Sequence, residues 1–558
     1  MVGCQTTTGT STEASSATSE VSSEVEASES DYTIEDLFTN RDYEVGYEEE
    51  EATTIDVSEY NNETVSIKDE GTYIITGTAS NVQILVDASD AKIQLVLDGA
   101  NITNTDSAVI FVNDADKVFV TLASGSSNTL SCTSDIQSIG DVNVDGVIFA
   151  RCDLTLNGEG TLNITAATGN GIVSKDDLAV TSGTYVIDAG NHGIQGKDSV
   201  RISSGSLNIT SGEDAIHSDN DEDDGKGFIY IAGGTIEISA GDDGIHAQTD
   251  LTIDGGTINI AKSYEGLEGH TITINDGDIS VVSSDDGLNA AGGNDSSGWG
   301  FDDPMASDED AWIIINGGTL QVVANGDGID SNGDLTVNGG YITVDGPSDS
   351  ANGALDFGGT GTINGGTLIA VGSSGMAQNF GNTSTQASIY VATNSNVSGD
   401  VTLTDSDGNV LITYSPSKTY NSAVISSADL EVGKTYIVTL GDTSTEVELT
   451  DLIYGNPDGM GGMGGGQMGD HGGMGGGRQN STNQDKQRPN DQTDLQEGTA
   501  PSDLPEGTAP SDRQENQTPS GDMPNMGEGQ QDGQMPGGNQ PSQMGNAPGQ
   551  MGQAPNNL

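Results

Sequence analysis

The sequence has few aromatic residues, few basic residues and only three cysteines. Aromatic residues make up 4% of its 558 positions, and 16 Lys and Arg residues face 86 Asp and Glu residues, for a formal net charge of −70. A chain of that charge repels the phosphates of DNA and RNA, which excludes nucleic acid as a partner. The sequence also lacks any run of 18 apolar residues, so we expect no membrane-spanning helix. The apolar residues that are present recur at regular intervals, which favours a folded chain over a disordered one.

The two ends of the chain differ in composition from the middle. Near the start, Cys4 follows a small residue and precedes a Ser/Thr/Glu-rich stretch, a pattern that resembles a bacterial lipoprotein cleavage site. We therefore predict a lipid anchor on Cys4, a flexible linker over residues 1–50 and an extracellular, cell-surface location; an incidental cysteine is the alternative. Residues 455–558 contain no Val, Ile, Phe, Tyr, Trp or Cys. Such a segment buries too little apolar surface to offset its ordering entropy, so we expect a disordered tail.

Two short words recur through the middle of the chain. The first, Gly-Ile or a variant, opens a unit at Gly171, Gly193, Ala215, Gly244, Gly266, Gly287, Gly328 and Ala354. The second, Gly-Gly-Thr or a variant, follows its opening residue by 12 positions in five of the eight units. The interval from Gly171 to Gly193 is the commonest one between successive units. Two words that keep this register over eight units indicate a repeat architecture.

The apolar residues show what each unit is. Around Gly-Gly-Thr they alternate with period two, as in Leu251, Ile253, Ile258 and Ile260, which predicts short strands with one apolar face. A further inward position follows each opening residue: Ile172, Ile194, Ile216, Ile245, Leu267, Leu288, Ile329 and Leu355. Three short strands cannot form a core alone, but stacked units bury a continuous interior.

We therefore predict an all-β fold, a right-handed single-stranded parallel β-helix with three short strands per coil of about 22 residues. The regular coils span residues 146–380. An N-terminal cap with irregular coils precedes them at 51–145, and a small C-terminal β cap follows at 381–454. Cys132 and Cys152 are separated by nearly one repeat length. If they stack in neighbouring coils they are close enough for a disulfide, and a pair of buried thiols is the alternative.

Stacking turns positions of the sequence into lines on the surface. We name the residue before each opening position the turn column: Asn170, His192, Asp214, Asp243, Glu265, Asp286, Asp327 and Gly353. We name the residue two positions after each opening the strand column, predicted to point outward: Val173, Gln195, His217, His246, Glu268, Asn289, Asp330 and Asp356. Both columns are rich in carboxylates.

Carboxylates stacked about 4.8 Å apart repel by roughly 3.5 kcal/mol at an effective dielectric of 20. Several such pairs would strain a fold whose net stability is on the order of 10 kcal/mol, so either some of these carboxyls have raised pKa values or a cation lies among them. Ca²⁺ suits such columns of carboxylates because it takes about six to eight oxygen ligands in irregular geometry. The alternative is that each Asp-Gly merely forms a turn. The predicted calcium ligands are Asp214, Asp242, Asp243, Glu265, Asp285, Asp286, Asp327, Asp330, Asp219 and Asp221.

The words Gly-Asp-Asp-Gly-Ile-His-Ala at 241–247 and Leu-Thr-Ile-Asp-Gly-Gly-Thr at 251–257, with the lipoprotein-like start, resemble one family. It is the bacterial carbohydrate-binding parallel β-helix family of cellulolytic clostridia, and the resemblance covers about residues 55–380. It implies a pectate-lyase-like fold, bound calcium, and binding of polygalacturonate and cellulose without catalysis. We therefore expect a calcium-dependent module that binds acidic plant polysaccharide, is a monomer, and meets the membrane only through Cys4.

Several side chains are candidates for contact with such a glycan. Lys175 and Lys197 occupy one column, where they could pair with sugar carboxylates or simply relieve the acidic columns. His246 adjoins the acidic positions, and the aromatic candidates for stacking on sugar rings are Tyr264, Trp299 and Trp312.

Two other classes of function remain open from the residues alone. A pectate-lyase-like enzyme needs calcium and a Lys or Arg base, which Lys175 or Lys197 could supply, and Asp242 beside Asp243 superficially suits a polysaccharide hydrolase. Because the Asp-Asp motif recurs in other repeat units, a structural role in the repeat explains it better than a single catalytic centre does. We therefore expect that the protein is not an enzyme. A structural surface rod or adhesin is the third class. His217 and His246 could hold a transition metal, although separate surface histidines are the simpler interpretation.

Overall fold

The computed structural model describes residues 37–220, 222–223, 225–291 and 310–455. That part of the chain consists of strands and two short 3-10 helices, Asn40–Tyr43 and Val57–Glu59. Its strands stack in parallel on three sides, which we name faces A, B and C, and the coil repeats them in that order. The all-β parallel β-helix predicted from the repeat is confirmed. None of the described helices is long and apolar enough to cross a membrane.

Faces A and B run the length of the helix. Face A comprises Thr64–Ile67, Gln83–Asp87, Ile110–Asp114, Gly146–Ala150, Asn170–Ser174, Ile194–Gly196, Ile216–Ser218, Ile245–Ala247, Leu267–Glu268, Leu288–Ala290, Ile329–Ser331 and Leu355–Phe357. Face B comprises Thr53–Asp56, Gly71–Ser80, Lys92–Asn104, Lys117–Leu122, Asp153–Gly158, Asp177–Val180, Ser199–Ile202, Phe228–Ile231, Asp250–Ile253, Thr271–Ile274, Trp312–Ile315, Asp334–Val337 and Gly361–Ile363.

Face C lies beyond the turns that carry the Gly-Gly-Thr words. It comprises Ser127–Cys132, Thr161–Ala166, Thr184–Ala189, Ser206–Ser211, Thr235–Ser239, Thr257–Ser263, Asp278–Ser283, Thr319–Val323, Tyr341–Asp345 and Thr367–Gly372. The second half of the long strand Lys92–Asn104 also pairs with its first member.

The inward position of face A keeps the register read from the sequence. Ile172 pairs with Ile194, Ile194 with Ile216, and the column continues in step to Leu355. All eight side chains are at most 1% exposed, and each buried Ile or Leu contributes about 1.5–3 kcal/mol. They belong to one apolar core that extends from Ile55 to Val424.

The opening residue of each coil is small because the next coil lies directly against it. A Cβ added to Gly266 would come within 2.2 Å of the Val281 side chain and 2.3 Å of the Gly287 carbonyl oxygen. The glycine word that marks the repeat is therefore a packing requirement of face A.

Residues 37–50 belong to the segment that the sequence analysis assigned to a flexible linker, and part of them packs on the β-helix. Leu37 and Phe38 pack on the outer side of face B. Asp42, only 1% exposed, forms a 2.8 Å ion pair with Lys117 of that face. Apolar burial and this ion pair fix the segment, and neither has a periodic signal in the sequence.

Cys132 and Cys152 are both buried free thiols and do not stack. Cys132 ends a face C strand and pairs in register with Ala166 of the next face C strand. Cys152 lies in the turn between faces A and B. The condition for a disulfide, stacking in neighbouring coils, is not met because the irregular coil here is longer than a regular one, and the alternative of buried thiols holds. Burial, followed by the charge of nearby Asp153, raises the pKa of Cys152 to about 12.

A β cap covers the C-terminal end of face C. Ser388–Val397 and Tyr420–Ser426 pair antiparallel with each other, and the second also pairs antiparallel with the last face C strand. A small antiparallel sheet completes the cap, and Ile453–Tyr454 adds a last parallel strand; the sheet comprises Val401–Asp405, Val410–Tyr414, Thr435–Leu440 and Thr443–Glu448. The cap pairs the edge strand that would otherwise be open to other chains.

Candidate functional site

The turn column is a hydrogen-bonded ladder. Five of its acidic and amide side chains use one oxygen to accept a hydrogen bond from the backbone N–H of the next turn-column residue, one coil further on. These bonds join Asn170 to His192 (3.0 Å), Asp214 to Asp243 (3.0 Å), Asp243 to Glu265 (3.0 Å), Asp286 to Asp327 (2.5 Å) and Asp327 to Gly353. The acceptors therefore have a structural role, whether or not a ligand is bound.

Other carboxyl oxygens of the turn column face the strand column. Asp214 Oδ2 lies 2.7 Å from His217 Nδ1, and the Asn289 amide donates to Glu265 Oε2 over 2.7 Å. The strand column is more buried than predicted, with Glu268 at 1% and Asn289 at 7% exposure. The two columns together make a buried polar seam along face A.

One group of three carboxyls lies at the centre of this seam. Asp243, Glu265 and Glu268 each place an oxygen within 4.8 Å of the others. Glu268 Oε2 lies 2.7 Å from His246 Nδ1. Glu268 Oε1 is buried and has no hydrogen-bond partner in the described part of the chain. A buried oxygen of this kind needs a cation, a proton or a water.

A small cavity of about 140 Å³ opens at this group. Its lining consists of Asp214, Asp242, Asp243, His246, Tyr264, Glu265 and Glu268. Five of the seven side chains are acidic, so the cavity suits a cation or a polar ligand that brings one.

Burial and mutual repulsion shift the ionisation of this group. Burial, followed by the charge of Glu268, raises the pKa of Glu265 to about 9. Burial lowers the pKa of His246, but the hydrogen bonds to Asp243 and Glu268 outweigh it and raise that pKa to about 11. At neutral pH an imidazolium therefore lies between two carboxyls and partly neutralises them.

A second group of three carboxyls lies further along the same columns and consists of Asp286, Asp327 and Asp330. Burial, ahead of repulsion by neighbouring carboxylates, raises the pKa of Asp286 to about 7 and that of Asp327 to about 8, and it raises the pKa of Asp330 as well. Within the described residues, no basic side chain forms an ion pair with any of the three. This group is the part of the seam where a cation would relieve the most repulsion.

The first part of the seam contains imidazoles. His192 Nδ1 and His217 Nδ1 lie 3.4 Å and 2.7 Å from the same oxygen, Asp214 Oδ2. The two rings stack with centroids 4.2 Å apart. Burial lowers the pKa of His192 to about 4, with the neighbouring imidazoles acting in the same direction. Burial acts to raise the pKa of Asp214, but the hydrogen bond with His217 and the charges of the neighbouring imidazoles together outweigh burial and lower it.

Comparison with known proteins shows what this chain is similar to. Residues 61–308 match the family described as carbohydrate-binding domain-containing protein. A protein of that description from Acetivibrio thermocellus, strain ATCC 27405, is 36% identical over 141 residues, which cover 25% of this chain and 49% of the relative. The chain thus spans about half the length of that relative.

A solved structure is also similar. It is the polysaccharide lyase-like protein from C. thermocellum in a gadolinium derivative, 32% identical, covering 43% of this chain and 97% of that one. The TM-score of 0.35 is too low to support an argument about the site.

The structure brings most of the predicted calcium ligands into the seam. Asp214, Asp243, Glu265, Asp286, Asp327 and Asp330 all belong to the groups of potential metal ligands, and Glu268 joins them although it was not among the predicted ligands. Asp242 lines the cavity, and Asp285 is half-buried beside Asp286. Asp219 is exposed in an inserted loop and belongs to none of the groups found in the described residues. Asp221, Trp299 and Cys4 lie outside the described residues.

The residues predicted to contact a glycan lie further apart than the predicted calcium ligands, and only some of them are near the seam. Tyr264 and His246 line the cavity. Lys175 forms an ion pair with Asp145 at 3.6 Å, and Lys197 forms one with Glu222 at 2.9 Å. Trp312 begins a face B strand, away from the seam on face A, so the structure does not bring it to the site.

Sequence reasoning missed two further columns. Side-chain amides stack at the turn between faces B and C, where each donates to the preceding coil. The donors are Asn275, Asn316, Asn338 and Asn364, and the carboxylate of Asp254 accepts the first of these bonds. The recurrent Asn or Asp at the start of the Gly-Gly-Thr turn was the available signal. A third acidic group lies at the turn between faces A and B and consists of Asp153, Asp176 and Asp177. There, Arg201 pairs with Asp177 at 2.8 Å.

Proposed function

We propose that this chain is a calcium-dependent carbohydrate-binding module for acidic plant polysaccharide, with polygalacturonate as the main ligand and cellulose as a further one. The observation that carries the proposal is the buried carboxyl seam of face A, with an unpartnered Glu268 Oε1 in an open cavity. The match of residues 61–308 to a carbohydrate-binding domain family supports the ligand class.

The donor set of the seam fits calcium. The group of Asp286, Asp327 and Asp330, and the group of Asp243, Glu265 and Glu268, each offer three carboxyls. Ca²⁺ takes about six to eight oxygens, so each group leaves positions for water or for a carboxylate of the glycan. When bound, the ion would supply the positive charge that links two anionic partners.

Charge explains why the glycan would need the ion. A chain with a formal net charge of −70 repels a polyuronate. An ion held by protein carboxylates on one side and by uronate carboxylates on the other converts this repulsion into a contact. Tyr264, which lines the cavity, lies where a sugar ring bound to such an ion can stack.

A polysaccharide lyase is the rival function. The contacts of Lys175 and Lys197 favour a binding module over a lyase. A lyase needs a basic side chain free to take a proton beside the metal. Lys175 and Lys197 are engaged with Asp145 and Glu222 instead. Their pairing supports the interpretation that they balance acidic neighbours. A structural rod would bind no glycan, whereas a binding module and a lyase both would, so glycan binding distinguishes the rod from the other two functions.

The location and assembly belong to the same proposal. A lipid on Cys4 would hold the module at the bacterial cell surface as a monomer. Mass spectrometry of the Cys4 peptide from the native host and light scattering of the purified protein test these two points. An unmodified cysteine or a stable dimer would overturn them, without bearing on glycan binding.

The decisive experiment is calorimetric titration of the full chain with polygalacturonate, in calcium and then in EGTA, with ultraviolet absorbance followed for unsaturated products. We expect binding in calcium only and no rise in absorbance. Asp330→Asn should weaken binding at least about tenfold, because it removes one carboxylate ligand. Asp407→Asn, on an exposed turn of the cap, is the matched control and should bind as the parent does. A steady rise in absorbance would establish a lyase, and no heat in calcium would reject uronate as the ligand.

A further inference from the structure

The chemistry of the face A seam changes along its length. Three of the five histidines of the protein, His192, His217 and His246, lie in the turn and strand columns of its first part. From Glu265 onward the same columns carry carboxyl and amide side chains, with Glu265, Glu268 and Asn289 as the first of them. Imidazole favours transition metals, whereas all-oxygen sites suit calcium.

We propose that His192, Asp214 and His217 form a separate binding site for a divalent transition-metal ion such as Zn²⁺. Each of the three offers a candidate ligand atom within 4.8 Å of the other two. The distances to Asp214 Oδ2 are 3.4 Å from His192 Nδ1 and 2.7 Å from His217 Nδ1. Ligands of a tetrahedral zinc ion, with bonds of about 2.0–2.1 Å, stand about 3.3 Å apart, so small side-chain movements suffice.

The groups behind these ligands already hold them in place. Asp214 is 4% exposed, and its other oxygen accepts the backbone N–H of Asp243 over 3.0 Å. On the far side of the His192 ring, Nε2 lies 3.3 Å from Glu213 Oε2. A carboxylate on the opposite nitrogen of a ligating histidine is the arrangement that orients zinc-bound imidazoles.

His192 supplies the observation that points to a ligand. Its Nδ1 atom is buried and makes no hydrogen bond in the described part of the chain, although it faces Asp214 Oδ2. A metal ion between these atoms would give that nitrogen a partner. Two imidazoles and one carboxylate make three protein ligands, which leaves a fourth position for water or another exchangeable ligand.

His246 does not share this role. Its Nδ1 lies 2.7 Å from Glu268 and 3.3 Å from Asp243, which places it with the carboxyl groups of the neighbouring coil. The proposed site therefore shares none of its three ligands with the two carboxyl groups assigned to calcium, although Asp214 also lines the cavity beside one of them, and it needs no glycan.

The test uses the full chain without glycan, in excess calcium so that the carboxyl groups are occupied. Co²⁺ is added to the metal-free parent protein and visible absorption is recorded, and Zn²⁺ affinity is measured by calorimetry. We expect intense d–d bands that Zn²⁺ abolishes, and one Zn²⁺ per chain. Because the spectrum is taken on the parent, it does not depend on any variant folding.

Variants then assign the ligands, with circular dichroism confirming that each is folded. His192→Gln and His217→Gln should each weaken Zn²⁺ binding about 100-fold or more, and Glu213→Gln about tenfold. His270→Gln and Asp407→Asn, outside the proposed site, should leave the affinity unchanged. Only weak octahedral Co²⁺ bands with no heat from Zn²⁺ would overturn the proposal. Undiminished Zn²⁺ affinity in folded His192→Gln and His217→Gln would do so too.

Discussion

The backbone N–H of Glu265 donates a 3.0 Å hydrogen bond to Oδ1 of Asp243 in the preceding coil. One carboxyl oxygen thus links two coils, while the other faces His246 at 3.3 Å. The acidic seam therefore serves stability and ligand binding through different atoms of the same side chain, and substitutions can separate the two roles.

Asp243→Asn and Asp243→Ala should separate these roles. The asparagine keeps an oxygen for the Glu265 N–H and should change the free energy of unfolding by about 1 kcal/mol or less in EGTA. The alanine leaves a buried N–H unsatisfied and should cost about 1–3 kcal/mol. Urea unfolding followed by circular dichroism measures both. Equal losses in the two variants would show that charge, not the hydrogen bond, dominates at this position.

His246→Gln should destabilise the metal-free protein. The imidazole lies 2.7 Å from Glu268, which is 1% exposed, so its loss leaves a buried carboxyl without a cationic partner. We expect a loss of about 3 kcal/mol in EGTA and a larger rise of the thermal midpoint with calcium than in the parent, because the ion replaces the lost charge. A calcium response no larger than that of the parent would contradict this account.

Gly266→Ala should weaken the stack of coils. The added methyl group would meet the Val281 side chain at 2.2 Å and the Gly287 carbonyl at 2.3 Å. Overpacking of this kind costs about 1–3 kcal/mol, measured as a lower midpoint in thermal unfolding. Gly46→Ala is the control, because a Cβ there meets nothing within 4 Å. A drop of the same size in the control would point to backbone effects instead.

The ion pair of Asp42 and Lys117 should make the anchoring of the N-terminal segment sensitive to acid. Burial acts to raise the pKa of Asp42, but hydrogen bonds from Lys117 and Thr155 outweigh it and hold the pKa below its usual 3.8. A folded-state pKa below the unfolded value means that the stabilisation is complete above about pH 5 and is lost as pH falls through the folded pKa.

Asp42→Asn should therefore cost about 1.5–3 kcal/mol at pH 7, because the buried Lys117 loses its 2.8 Å partner and keeps only Asp153 at 3.9 Å, and the difference from the parent should shrink below about pH 4. Urea unfolding across this range measures it. Glu44→Gln removes an exposed partner of Arg41, with Glu44 at 63% side-chain exposure, and should cost less than about 1 kcal/mol at any pH. A difference for Asp42→Asn that is independent of pH would contradict the assignment.

Much of the fold could be predicted because the repeat carries its own register. The inward column from Ile172 to Leu355 and the opening glycines follow from alternation and period, since one slip would expose the whole core. The carboxyls of the seam were found for the same reason. Glu268 was placed in its column but not among the ligands, because nothing in its spacing shows that one of its oxygens is buried without a partner.

The irregular parts of the fold, such as the N-terminal segment and the first coils, have no periodic pattern in the sequence that would predict their contacts. The packing of Leu37 on face B joins residues that are 164 positions apart through the bond from Arg201, and no local pattern encodes so distant a contact. The spacing of Cys132 and Cys152 could not decide between a disulfide and buried thiols, because the coil that separates them is longer than a regular one.

The sequence by itself determined the all-β repeat, the residues of the core and the columns of acidic side chains, because side-chain alternation and coil length are local properties that stacking copies from coil to coil. Only the tertiary structure decided which carboxyl oxygens bond to the next coil and which remain for a ligand. It also decided that His192 and His217 face one oxygen of Asp214. Those outcomes depend on side-chain directions and on burial by neighbouring coils, and residue spacing specifies neither.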